Sequence, residues 1–143
     1  MFFDEKVIMR QMKNLQFKKG FTLVEIMVVV SIIATLAAIA LPGFLRARKR
    51  SQSSKILNDL RMLDSALDQY AIETGRIAGF TPVFADLKRY LKPGTTLFNT
   101  GGDLFGNTYT IPSVDTVLAL PHSTFLIVSD VAPFEYWSPY SAQ

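Results

Sequence analysis

The sequence predicts an α+β fold: a long N-terminal helix, apolar in its first half and amphipathic in its second, packed on a small C-terminal antiparallel sheet. Three features of the 143 residues predict it. Residues 21–45 form one apolar run, residues 46–75 continue with apolar side chains at helical spacing, and residues 76–143 hold short β-branched and aromatic runs between turn formers. The length leaves room for one small domain beside the long helix.

The apolar run is long enough and apolar enough to cross a membrane. Its 25 residues, from Phe21 to Leu45, would span about 37 Å as a helix. Fourteen of them are Leu, Ile, Val or Phe, which together contribute about −4 to −8 kcal/mol to insertion. The single ionisable side chain, Glu25, opposes insertion by about 2.5 to 3.5 kcal/mol. The run therefore inserts in spite of Glu25, and an acid at that place requires a reason.

A short motif stands at the entry of this run. Residues 18–25 are Lys-Lys-Gly-Phe-Thr-Leu-Val-Glu, and Pro42 lies near the end of the run. This pattern resembles the cleavage and methylation motif of type IV pilins and of the pseudopilins of type II secretion systems. The resemblance implies that a prepilin peptidase cuts between Gly20 and Phe21 and N-methylates Phe21. It also implies that Glu25 acts in filament assembly, that Pro42 bends the helix, and that the fold is pilin-like.

The residues of the motif suit these roles physically. Gly20 has no Cβ, so a protease can approach its backbone closely. The two lysines before it hold the leader on the cytoplasmic side. Cutting would free an amine on Phe21, and in a packed filament that amine can pair with Glu25 of a neighbouring subunit. Because a buried charge without a partner is costly, such a pair rejects wrong registers.

Residues 1–20 are interpreted as a cleaved cytoplasmic leader, whose true start is left open among Met1, Met9 and Met12. They carry five Lys or Arg and two Asp or Glu, whereas residues 21–143 carry ten of each. The mature chain is therefore near neutral, which argues against nucleic acid as a partner. The chain has no cysteine and one histidine, so thiol chemistry and a multi-histidine metal site are excluded. No metal or other cofactor is expected.

Beyond the apolar run, the helix is predicted to leave the membrane. Arg46, Arg48, Lys49 and Arg50 follow the run at once; lipid headgroups are their expected contact, and DNA is the alternative. Residues 46–75 form the amphipathic second half of the long helix, which ends at Gly75. One apolar stripe on it is predicted to pack on the sheet: Ile56, Leu60, Leu63, Leu67 and Tyr70.

Residues 76–143 are predicted to form a small globular domain. A short helix begins at Thr81-Pro82 and ends near Leu91. Three strands are predicted at residues 108–111, 116–120 and 124–129, because β-branched and aromatic residues dominate there and prolines separate them. The aromatic tail after Pro133 either packs across the edge of the sheet or forms a contact surface.

Two other sites are weakly indicated. The glycines and Asp103 in the loop of residues 101–107 suggest a calcium site. Such a site needs about six to eight oxygen ligands, and Asp103 is nearly the only carboxylate nearby in the sequence. Calcium binding by this loop is left open. His122, Ser123 and Asp130 supply the residue types of a nucleophilic triad without the sharp turn that presents the serine, and catalysis is not expected.

The sequence therefore favours a structural subunit and not an enzyme: a pilin or pseudopilin of a type IV pilus-like or type II secretion-like filament. It would cross the inner membrane once, with residues 76–143 on the periplasmic side. Its partners would be the prepilin peptidase, other pilin or pseudopilin subunits, an inner-membrane assembly platform and the lipid bilayer. The alternative is a membrane-anchored periplasmic binding module that does not polymerise. A secretory signal ending near Ala40 and a plain anchor are weaker, because neither explains Glu25.

Processing of the N-terminus is the first expected outcome. Removal of the first 20 of 143 residues leaves 123, beginning with N-methylated Phe21. Intact-mass and N-terminal analysis of membrane-extracted protein checks this, and a chain that keeps Lys19 or begins at Leu41 would contradict it. Gly20→Ala should slow cutting and Gly20→Leu should block it, because the peptidase needs close access to the backbone.

Overall fold

The computed structural model describes residues 20–142, and one long helix, α1, dominates it. The helix spans Leu23–Thr74, 52 residues, so the predicted long N-terminal helix is confirmed. It ends where predicted, because Gly75 follows in the left-handed region at φ 64°, a conformation that glycine adopts without steric cost. The amide of Arg76 then donates to the carbonyl of Ala71 at 3.1 Å. The predicted leader lies outside the described residues except for Gly20.

The chain divides into two compact units, Met1–Leu41 and Pro42–Gln143. In the first unit, residues 23–41 are helical and every described side chain is exposed. Helix α1 contains an 18-residue window with a mean hydropathy of 2.6, none of it buried, so it is long and apolar enough to cross a membrane. The hydroxyl groups of this part are satisfied locally, since Ser31 donates to the Met27 carbonyl at 2.7 Å and Thr35 to the Ser31 carbonyl at 2.8 Å.

Pro42 lies inside α1, which continues past it. A proline within a helix removes one backbone donor and crowds the preceding turn, which commonly bends the axis. The helix continues through Pro42, as the sequence predicts. The bend at Pro42 stays a prediction.

The second unit is built around the apolar stripe of α1. Ile56, Leu60 and Leu63 are fully buried and Leu67 is 3% exposed, so the predicted stripe faces a core. Tyr70 is half-buried and packs at its edge. Residues from the later segments join the stripe in one core: Leu87, Leu91, Leu97, Leu118, Leu120, Val128, Trp137 and Tyr140.

Two short helices follow α1. The first, α2, spans Phe84–Leu87 and continues as a 3₁₀ turn, Lys88–Tyr90; it lies within the predicted short helix but begins later than predicted. The second, α3, spans Thr96–Thr100, was not predicted, and ends just before the loop of residues 101–107. Its sequence signals are Thr95, whose hydroxyl accepts from the Phe98 amide at 3.1 Å, and Gly101 at φ 66°.

The predicted antiparallel sheet is not formed within residues 20–142. Residues 124–129, the third predicted strand, lie mostly in helix α4, His122–Val128. Burial explains the difference, because Thr124, Phe125 and Val128 are buried while Leu126 and Ile127 are exposed. A strand would instead alternate and bury Leu126 together with Thr124. Packing of one helical face on the core thus overrides the β propensity of the segment.

The other two predicted strands shrink to a few residues. Within residues 116–120 only β1, Ala119–Leu120, is a strand, and it pairs in parallel with β2, Ser141–Ala142. Residues 108–111 contribute a single antiparallel bridge, from Thr108 to Gly102. Pro112 and Pro121 bound these segments and lack the N–H that a longer ladder needs.

The aromatic tail packs into the core. Trp137, in the 3₁₀ turn Phe134–Trp137, is fully buried, and its indole N–H donates to the Ala132 carbonyl at 3.1 Å. Tyr140 is buried as well. Of the two alternatives for the tail, packing is the one observed, although the tail meets a core built mainly from helices and not the edge of an antiparallel sheet.

Leu63 tests the packing of α1. A soluble fragment of residues 51–143 is expected to fold without disulfides, and Leu63→Ala should lower its free energy of unfolding by about 2–5 kcal/mol, since the side chain is fully buried. Ile72→Ala is the matched control, because Ile72 lies on the same helix and is 81% exposed. Its expected change is within about 0.5 kcal/mol. Urea unfolding measures both, and equal losses would contradict the assignment of the core face.

Candidate functional site at the start of α1

Thr22 and Glu25 cap the start of α1 through reciprocal hydrogen bonds. The Glu25 amide donates to Thr22 Oγ1 at 3.2 Å, while Oε2 of Glu25 accepts from the Thr22 amide at 2.7 Å and from the Thr22 hydroxyl at 2.8 Å. This is a capping box, in which side chains satisfy the first unpaired amides of a helix. It fixes the carboxylate at the positive end of the helix macrodipole. Glu25 is one of the residues predicted from the motif; the capping role of Thr22 is not, although Thr-x-x-Glu is the pattern of such a box.

The cap leaves one oxygen of the carboxylate available. Both side-chain hydrogen bonds of Glu25 use Oε2, so within residues 20–142 Oε1 has no donor. The side chains around it are apolar and exposed, among them Phe21 and Val24. Oε1 of Glu25 can therefore accept a further hydrogen bond beyond those made among residues 20–142.

The peptide between Gly20 and Phe21 precedes α1 and is open. A Cβ placed on Gly20 would meet no atom within 4 Å, and Phe21 is 83% exposed. Among residues 20–142, the fold therefore does not require glycine at this position, and the role of Gly20 in cutting stays a prediction. The two lysines before Gly20 fall outside the described residues.

Comparison with known proteins assigns this segment to a family. Residues 16–41 match the family model for the prokaryotic N-terminal methylation motif, a range that contains Gly20, Phe21 and Glu25 and ends before Pro42. The chain is 37% identical over 62 residues to the type II secretion system core protein G of Klebsiella pneumoniae, a match that covers 43% of this chain and 44% of that protein.

Two relatives from pili give a similar match. The chain is 42% identical over 62 residues to the type IV major pilin protein PilA of Myxococcus xanthus, covering 43% of this chain and 28% of that one. It is 43% identical over 68 residues to the type IV major fimbrial protein FimA of Dichelobacter nodosus, covering 48% and 42%. The chain thus spans less than half the length of these curated relatives. No solved structure matches it significantly.

The site and the matches agree on the class of protein. An exposed apolar helix, long enough to cross a membrane, starts with a capped carboxylate next to an open Gly-Phe peptide, inside the segment that matches the methylation motif. The N-terminal part of the chain is similar to type IV pilins and to a type II secretion core protein, and it carries their N-terminal methylation motif. This confirms the resemblance; the individual roles of Gly20, Phe21, Glu25 and Pro42 stay predictions.

The loop of residues 101–107 satisfies its aspartate with protein donors. Oδ1 of Asp103 accepts from the amides of Phe105 at 2.8 Å and Asn107 at 3.0 Å, and Oδ2 accepts from the Thr124 hydroxyl. In the part of the chain that the structure describes, no three His, Cys, Asp or Glu side chains lie together as candidate metal ligands. The geometry therefore supports a turn closed by Asp103 and gives calcium no added support.

The residues of the rejected triad do not come together as a catalytic group. His122 and Ser123 are both exposed in the first turn of α4. Asp130 is instead engaged with Lys49 of α1, whose Nζ lies 3.0 Å from each carboxylate oxygen.

A second carboxylate, Asp59, is buried near Asp103. Asp59 is 7% exposed on α1; burial raises its pKa, Lys55 opposes that shift and the charge of Asp103 adds to it. Tyr109 shares these surroundings, since burial and then the charges of Asp59 and Asp103 raise the pKa of its hydroxyl. That hydroxyl is buried without a hydrogen-bond partner among residues 20–142. A charge on Asp59 therefore destabilises the folded state.

The pKa of Asp59 predicts how stability changes with pH. Its folded pKa lies above the ordinary value of 3.8, so between the two values the folded state holds a proton that the unfolded state has released. The stabilisation from this group is complete below the ordinary value and is lost as the pH rises through the raised one. Urea unfolding of the 51–143 fragment at increasing pH should show this loss, and Asp59→Asn should reduce it.

Glu135→Gln is the control for that experiment, because it removes an exposed carboxylate of the same fragment. Asp64, whose pKa burial also raises, is present in every variant, so some pH dependence is expected to remain. If Asp59→Asn loses as much stability with rising pH as the parent does, the cost assigned to the Asp59 charge is wrong.

Proposed function

We propose that this chain is a structural subunit, a pilin or pseudopilin, of a type IV pilus-like or type II secretion-like filament. The observation that carries the proposal is the capped Glu25 at the start of an exposed apolar helix, inside the segment that matches the N-terminal methylation motif. The matched relatives are named as type IV pilins and a type II secretion core protein, which supports a structural role without catalysis.

The proposal divides the chain into four parts. Residues 1–20 are the cytoplasmic leader, which the prepilin peptidase removes between Gly20 and Phe21 before methylating Phe21. Residues 21–45 cross the inner membrane once, residues 46–75 continue α1 outside it, and residues 76–143 form the globular domain on the periplasmic side. The apolar exposed first half of α1 and the buried stripe of its second half support this division.

Once the helix lies in the hydrocarbon of the membrane, the buried carboxylate of Glu25 raises its free energy. Two hydrogen bonds from Thr22 to Oε2 offset part of that cost inside the subunit. Oε1 of Glu25 remains available as an acceptor. After cutting, Phe21 carries a free amine. In a bundle of such helices, the amine of one subunit donates to Oε1 of Glu25 in its neighbour. A charge-assisted hydrogen bond of this kind is strong where the dielectric constant is low.

The same pair selects the register of assembly. The cap holds the carboxylate in one geometry, so the amine meets it only when neighbouring helices have one axial offset. At any other offset the amine and the carboxylate are both buried without a counter-charge, at a cost of several kcal/mol each. Pairing therefore acts mainly against wrong arrangements.

The partners under this proposal follow from the parts of the chain. The prepilin peptidase recognises the motif, and other pilin or pseudopilin subunits pack on the apolar helix. An inner-membrane assembly platform extracts the subunit from the lipid bilayer into the filament. Nucleic acid is not a proposed partner, because residues 21–143 carry as many acidic as basic residues.

Variants of Glu25 separate charge pairing from helix capping. Glu25→Leu removes both, Glu25→Gln keeps a capping acceptor but no charge, and Glu25→Asp keeps the charge with a shorter reach. We expect incorporation into filaments to fall sharply in the first two and to be intermediate in the third. Cutting at Gly20 and the amount of protein in the membrane should stay near normal. Shearing of filaments, with cleavage followed by mass in the same cells, measures both.

Thr22→Val is the matched control, because it removes the hydroxyl of the cap and keeps the carboxylate. It should weaken the start of the helix by about 1 kcal/mol and leave assembly largely intact. If Glu25→Gln assembles as well as the parent, charge pairing is wrong, and the membrane-anchored periplasmic binding module becomes the better account.

A further inference from the structure

The short helix α4 exposes large apolar side chains on the face that turns away from the core. Leu126 is 61% exposed and Ile127 is 41% exposed. Phe134 is 61% exposed, and its ring packs against Phe125 of α4 with centroids 4.4 Å apart. These three side chains, Leu126, Ile127 and Phe134, are called the apolar patch below.

An ion pair ties the end of α4 to the first turns of α1 after its apolar run. The ammonium group of Lys49 lies 3.0 Å from both carboxylate oxygens of Asp130. Asp130 follows Leu126 by four residues, and Lys49 follows Leu45, the last residue of the apolar run, by four. Four residues of helix rise about 6 Å. The pair is largely exposed, so it adds little stability, but it fixes which part of α1 lies beside α4.

The direction of the Lys49 side chain brings α4 closer still to the end of the apolar run. Side chains of an α-helix lean toward its N-terminus, so the Lys49 ammonium reaches back toward Leu45. The Lys49–Asp130 contact therefore lies near Leu45, the end of the proposed membrane span, and the apolar patch is joined to Asp130 by a few residues. A patch tethered there can reach the bilayer surface.

The charges around the patch identify the surface that suits it. Residues 42–50 and 122–137 together hold four basic and two acidic residues, a net charge of +2. Arg46, Arg48 and Arg50 are all exposed. A second copy of the same surface would bring two positive charges of this size together, whereas anionic lipid headgroups would neutralise them.

We propose that the apolar patch docks on the anionic headgroup layer of the same bilayer that α1 crosses. Leu126, Ile127 and Phe134 enter the interface between headgroups and acyl chains, and the arginines bind lipid phosphates beside them. The inference rests on the membrane-spanning role proposed above for residues 21–45. It adds a resting position for the globular domain, in which lipid covers the patch until the subunit enters a filament.

Site-directed spin labels on the full chain test this position directly. The chain has no cysteine, so one cysteine at a time can be introduced and labelled: Ile127→Cys in the patch, Val30→Cys in the span and Ile72→Cys as the matched exposed control. Ile72 is 81% exposed and lies about 35 Å along α1 from Lys49. Each protein is placed at one copy per nanodisc made of equal parts phosphatidylglycerol and phosphatidylethanolamine. Collisions of the label with oxygen report lipid, and collisions with a water-soluble nickel complex report water.

We expect the labels at residues 127 and 30 to favour oxygen and the label at residue 72 to favour nickel. Replacing Arg46, Arg48 and Arg50 together by glutamine should shift label 127 toward nickel, by roughly fivefold in the docking equilibrium for each arginine, from about 1 kcal/mol apiece. Shielding of label 127 that survives this triple change would overturn the anionic-lipid basis of the proposal.

Three other outcomes would each decide against a proposal. If label 127 is as open to nickel as label 72 while label 30 is in lipid, the docking inference fails and the membrane span stands. If label 127 is shielded only in discs that hold two copies, a second subunit covers the patch and the lipid assignment is wrong. If label 30 is itself open to nickel, the proposed span fails, and the docking inference fails with it.

Discussion

The interior of a membrane offers no water to a polar group, and this constraint accounts for the first half of α1. Each polar side chain in that half bonds within the chain, because Ser31 and Thr35 donate to carbonyls one turn earlier and Thr22 and Glu25 cap the helix together. Among residues 20–142, Oε1 of Glu25 has no donor. In the proposed filament, Oε1 accepts a hydrogen bond from the Phe21 amine of a neighbouring subunit. The same carboxylate therefore takes part in helix capping and in assembly.

In the second half of α1, burial of apolar side chains away from water is the main constraint. Its fully buried residues, among them Ile56, Leu60 and Leu63, recur every three or four positions, and the short segments that follow supply the rest of the core. Because the chain has no cysteine, this packing, with the buried Asp103–Thr124 turn and Trp137, has to hold the domain together. The burial of Asp59 works against it, which makes the domain sensitive to pH.

The sequence was a good guide where the signal is local and repeated. The length of α1, its end at Gly75 and its buried stripe follow from composition and spacing alone. It was a poor guide for residues 108–129, where short apolar runs fit a strand and a helix equally well. There Thr124, Phe125 and Val128 face the core as a helix, and packing with distant residues decides the outcome. The motif indicated Glu25 through its charge, whereas the role of its partner Thr22 depends on the capping pattern that both residues form.

Charge pairing in the proposed filament requires that the amine of Phe21 in one subunit contacts Glu25 of another. Solid-state NMR of filaments assembled from two populations measures this contact, with ¹⁵N-labelled phenylalanine in one population and ¹³C-labelled glutamate in the other. The account predicts a signal between the N-methylated amine of Phe21 and the Glu25 carboxylate carbon at a separation of about 4 Å or less. A signal that appears only when both labels are in the same subunit, or no signal at all in well-formed filaments, would contradict it.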